Sequence, residues 1–77
     1  MKAAALTSPR LQRVLAVLSD GEPHSTRDIM MWAQVCAVNT CIGELREHGA
    51  EIDVTITTDA VTRARIWNYR MTKGPKA

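Results

Sequence analysis

The sequence predicts an α+β domain in which three helices precede a β-hairpin, and three observations carry that prediction. Apolar residues recur at helical spacing in three separate segments between Pro9 and Gly49. After Gly49 the period changes to strict alternation, the signature of half-buried strands. The chain has 77 residues, of which 45% are hydrophobic, enough for one small core but not for a large enclosed active site.

The first helix opens at Ser8-Pro9, an N-cap followed by proline at the first helical position, where a missing N–H costs nothing. Leu11, Val14, Leu15 and Leu18 share one side of it, and "SDG" at 19–21 stops it. "EPHS" reads as a turn, and Ser25 with Asp28 forms the capping pattern of a second helix, "TRDIMMWA". In that helix Ile29, Trp32 and Ala33 share a side, Met30 flanks it, and Arg27 and Met31 point away. A short connection, "QVCA", leads to a third helix with Val38, Cys41, Ile42 and Leu45 as its buried stripe. Gly49 closes this helix, with His48 beside the carbonyl end of its dipole. Leu15, Leu18, Ile29, Trp32, Ile42 and Leu45 are expected to meet in the core.

"EIDVTIT" alternates Ile52, Val54 and Ile56 against Asp53, Thr55 and Thr57, "TDAVT" turns, and "RARIWNYRMT" returns. Trp67, Tyr69 and Met71 are the favoured inward face of the returning strand. Residues 1–7 are expected to be a flexible N-terminus, 8–72 the domain, and 73–77 a flexible basic tail.

Net charge is only +2, but its distribution is polarised. All eight acidic residues lie in 20–59, against Arg27 and Arg46 alone. The last eighteen residues carry Arg63, Arg65, Arg70, Lys73 and Lys76 with no acid. No segment reads as a secretory signal or a membrane span, so a cytoplasmic protein without a membrane partner is expected.

Three helices, a tight connection between the second and third, and a closing hairpin make the winged helix-turn-helix arrangement. In that arrangement the third helix enters the major groove of DNA and the hairpin, or wing, follows the backbone or minor groove. Over nearly its whole length the chain also resembles the small winged helix-turn-helix DNA-binding domains of phages and prophages. The residues that carry the likeness are "RVLAVLSDGEPHSTRDI", "IGELREHGAEI" and "NYRMT". The resemblance implies a phage or prophage setting in a bacterial host cell, and a role in transcriptional or recombination control.

On the third helix, Asn39, Thr40 and Gly43 face outward with Arg46 beside them. Asn pairs with adenine bidentately, Thr bonds or touches a thymine methyl, and Gly permits close approach. Arg27, Arg63, Arg65, Arg70 and Lys73 are the expected contacts to the DNA backbone, with Arg10 or Arg13 as further candidates, because each neutralised phosphate releases counterions. Glu44 and Glu47 on the same third helix would repel phosphate, with Glu44 accepting from a cytosine amino group, tolerated, or paired to Arg46. Those two carboxylates, with Met30 and Met31, are instead suited to a protein contact. The alternative reading is therefore a phage-type protein of this fold that binds and inhibits a host protein; self-association as a homodimer would use the same residues.

Cys36, Cys41, His24 and His48 lack the spacing of a zinc site, and Cys41 falls in the buried stripe. No phosphate-binding glycine loop or nucleophile-base pair occurs, so neither a metal, a cofactor nor an enzymatic activity is expected.

Overall fold

The computed structural model describes residues 5–76. It is a small α+β domain of three helices, α1 (Pro9–Leu18), α2 (Thr26–Ala33) and α3 (Val38–Glu47), with three strands, β1 (His24–Ser25), β2 (Glu51–Thr58) and β3 (Arg65–Lys73). The strands form one antiparallel sheet in the order β1-β3-β2. None of the described helices is long and apolar enough to cross a membrane.

Local signals account for most element ends. Pro9 begins α1, although Ser8 makes no side-chain capping bond. Ser25 caps α2 by accepting the Asp28 N–H at 3.1 Å. Gln34 ends α2 in the left-handed conformation (φ 55°), and Arg13 of α1 reaches across to give its Nε–H to the Ala33 carbonyl at 2.7 Å. That bond satisfies one of the carbonyls that every helix C-terminus leaves open. Gly49 follows α3 with φ 98°, and a Cβ there would lie 3.1 Å from the Lys76 side chain. The positive φ favours glycine here, and a side chain would in addition press on the chain end packed against it.

The core is continuous, with Leu11, Val14 and Leu18 from α1, Ile29 and Ala33 from α2, and Val38, Cys41, Ile42 and Leu45 from α3. Ile52 and Tyr69 close it from the sheet. Two expected members depart from this. Leu15 is only half-buried, because the inward stripe of α1 runs through 11, 14 and 18. Trp32 is 76% exposed, because the inward side of the eight-residue α2 is the pair Ile29 and Ala33, one helical turn apart. Ala33 is fully buried and its carbonyl is engaged by Arg13, while the bulky indole is left on the flank. Trp32→Ala should therefore change stability by no more than about 0.5 kcal/mol in a thermal melt, where a core tryptophan would cost roughly 3–5 kcal/mol.

"EPHS" is not wholly a turn. His24 and Ser25 pair with Tyr69 and Asn68 as a third strand. Described residues near both termini also make contacts. Leu6 packs against the core, and its carbonyl accepts from Gln12 at 2.7 Å. At the other end β3 runs through Lys73, and the Lys76 N–H donates to the His48 carbonyl at 2.8 Å. Residues 1–4 and 77, which belong to the expected flexible ends, lie outside the described residues.

Candidate functional site

Between α3 and the β2–β3 hairpin lies a groove of about 400 Å³. Its helix side is formed by Asn39, Gly43 and Arg46, and its hairpin side by Val54 and Trp67. Ile42 and Tyr69 also line it, and Thr26 closes it at the start of α2. Register explains why the hairpin presents an apolar wall here. Ile52 pairs with Met71, Val54 with Tyr69 and Ile56 with Trp67, and alternation puts these on the face turned toward α3. Ile52 and Tyr69 are buried there, but the hairpin extends beyond the helices, so Val54, Ile56 and Trp67 are left exposed. The favoured inward face of β3 is thus correct at Tyr69, while Trp67 is 46% exposed.

Three of the four residues expected to read bases line the groove: Asn39, Gly43 and Arg46. Thr40 is exposed on α3 but is not part of the lining. The Asn39 Oδ1 accepts the Tyr69 hydroxyl at 2.6 Å, which orients the amide from the sheet, so the oxygen that a bidentate adenine contact would use is already engaged and the Nδ2 N–H groups are the ones left to donate. Arg46 is exposed, and one of its terminal nitrogens donates to the Ile52 carbonyl at 2.6 Å. This fixes the guanidinium at the root of the hairpin while leaving other N–H groups to donate. A Cβ on Gly43 would meet nothing within 4 Å, so the helix wall is hollow at that point.

Glu44 does not sit where sequence placed it. Its carboxylate pairs with Arg10 of α1 at 2.6 Å, not with Arg46, and its side chain is only 11% exposed. Arg10 also donates to the Cys41 sulfur at 3.1 Å. The bonds to Glu44 and Cys41 raise the guanidinium pKa still further. Arg10 is therefore committed to the interior side of α3, and Glu44 is withdrawn from any partner of its outer face. Glu47 remains exposed.

At the hairpin tip Asp59 organises the loop. Its Oδ1 accepts the N–H groups of Val61 and Thr62 at 2.8 and 3.0 Å. Backbone bonds from Asp59 to Ala64 and from Arg63 to Asp59 close it, each at 2.9 Å. Within this loop Arg63 adopts φ 60°, a left-handed backbone that costs a residue with a side chain roughly 1–2 kcal/mol. The position suits glycine, yet an exposed arginine occupies it. The N–H groups of Thr62 and then Val61 hold the Asp59 carboxyl below the ordinary 3.8. A carboxyl lowered on folding contributes stability above its unfolded pKa and loses it as pH falls through the folded value. The difference in melting temperature between the parent and Asp59→Asn should accordingly be largest above about pH 5 and shrink progressively below pH 4.

The remaining cations are distributed over several elements. Arg27 is exposed on α2, and Arg65 lies on the groove-facing side of β3 beyond Trp67. Arg70 is exposed, but its Nε–H is engaged with the Gly21 carbonyl at 2.8 Å, and Lys73 ends β3. Met30 and Met31 are both exposed, as is Trp32. Among the described residues no group of three or more His, Cys, Asp or Glu is placed to hold a metal ion. Sequence reasoning missed the bond from Tyr69 to Asn39 and the role of Arg10. Tyr69 and Asn39 are thirty residues apart and Arg10 and Cys41 thirty-one, so no local spacing signals either contact. No known protein family, curated protein or solved structure matches the chain.

Proposed function

We propose that the chain is a winged helix-turn-helix protein that binds double-stranded DNA in transcriptional or recombination control, with the phage or prophage setting implied by the resemblance. α3 is the helix that enters the major groove, and the β2–β3 hairpin is the wing. The observation that carries this reading is the ion pair between Arg10 and Glu44. It draws one of the two α3 carboxylates inward, so the face bearing Asn39, Thr40 and Gly43 meets DNA with only Glu47, the last residue of α3, as an exposed acid on the helix. Helices of this motif present their N-terminal residues to the bases, which keeps Glu47 away from them.

The test is binding to nonspecific duplex across a salt series. Affinity should fall steeply as salt rises, by a slope of about 0.9 for each phosphate neutralised. Undetectable binding at low salt would remove the proposal. Once a preferred site is known, Asn39→Ala should weaken it by about 1–3 kcal/mol while nonspecific affinity stays nearly constant. Glu47→Gln is the companion measurement: with α3 in the groove, affinity is unchanged or improved.

A second reading is favoured by the exposed run Met30, Met31 and Trp32. Adjacent adaptable methionines and an indole on one short helix suit a protein contact. A host protein inhibited by the chain would use that surface together with Glu47. Glu44 no longer belongs to it, since Arg10 holds its carboxylate.

A further inference from the structure

We infer that the groove between α3 and the hairpin seats one strand of the duplex, with the apolar faces of its sugars packed on Trp67 and Val54 and a phosphate held by Arg46. This rests on the DNA reading and specifies how the strand is gripped. Among the described residues, Arg46 is the only charged one lining the groove, and no carboxylate lines it. On the same face of β3, Arg65 follows Trp67 toward the hairpin tip, so an apolar wall lies between two cations. A nucleic-acid strand alternates anionic phosphates with largely apolar sugar faces, which complements that order. An acidic ligand without apolar surface would leave Trp67 and Val54 unused. Opposite the wall, Gly43 supplies the depth, since a Cβ there would project into open space.

The contact has a physical signature distinct from charge neutralisation. Covering apolar surface releases no counterions, so its contribution is independent of salt. Burying roughly 60 Å² against the indole is worth about tenfold in affinity. Trp67→Ala should therefore weaken duplex binding about tenfold at every salt concentration and leave the salt slope unchanged. Gly43→Ala gives a second reading that does not depend on removing an aromatic from the sheet. The added methyl meets nothing in the free protein and favours helix, so melting temperature should hold or rise, while filling the hollow should lower duplex affinity.

Trp32→Phe, in which Trp67 is the sole tryptophan, is titrated with a mixed-sequence DNA duplex and followed by emission, alone and with Gly43→Ala added, while Trp67→Ala is followed by the anisotropy of a labelled duplex across the same salt series. The expected result is a change in Trp67 emission on binding, the parallel loss in Trp67→Ala, and weakened binding by a folded Gly43→Ala. If the duplex binds with a steep salt slope but Trp67 emission is unmoved and Gly43→Ala binds as the parent does, this inference is overturned and the DNA reading stands. If no duplex binds at low salt, the DNA reading fails and takes the inference with it.

Discussion

Leu45→Ala should lower the stability of the domain by about 2–5 kcal/mol, a large share of the roughly 5 kcal/mol available to a chain of this size. Leu45 is fully buried at the end of the α3 stripe, where the helix gives way to the sheet. Its carbonyl accepts the N–H groups of both His48 and Ala50, at 3.1 and 3.0 Å, and these bonds turn the chain into β2. A cavity at that point separates α3 from the core and slackens the turn that positions the hairpin. Denaturant titration of the purified variant measures the loss. Near-parental stability would contradict the assignment of the α3 inward face. The same assignment sets Asn39 and Gly43 on the opposite side, so the outcome bears on the proposed site as well as on the core.

Arg63→Ala combined with Arg65→Ala should weaken binding to every duplex sequence alike and flatten the salt dependence by about 1.8 units, two contacts at 0.9 each. Neither side chain reads a base edge in the proposed arrangement, so no sequence preference should change. At Arg63 stability is expected to hold, because alanine inherits the same left-handed backbone cost that arginine bears. An unaltered slope would show that the hairpin tip does not meet phosphate. The contrast with Trp67→Ala is diagnostic, since that variant is expected to shift affinity without changing slope. Together the two experiments separate ionic from apolar grip on one hairpin.

Periodicity, caps and punctuation carried most of the fold. Pro9, the Ser25 cap on Asp28, and Gly21 and Gly49 mark element boundaries because each satisfies a local backbone demand that no distant partner need supply. The apolar stripe of α3, Val38, Cys41, Ile42 and Leu45, is buried as spacing requires. The hairpin was readable from alternation, but its exposure was not. Alternation says which residues share a face and is silent on how far the helices beneath it reach, so Ile52 is buried while Val54 and Ile56 are not. The two-residue strand at His24 was invisible for a related reason. It exists because β3 offers it a free edge.

By itself, then, the sequence determined the α+β class, the element order, the polarised charge and the candidate face of α3, all of which follow from interactions within a few residues. Only the tertiary structure decided that Trp32 lies outside the side, bearing Ile29 and Ala33, that α2 turns to the core, that Tyr69 orients Asn39, and that Arg10 draws Glu44 away from the outer face. Each of those outcomes depends on which elements touch and how closely. A carboxylate on a helix reads the same in sequence whether it faces solvent or a guanidinium from another helix, and here the packing of α1 against α3 makes the choice.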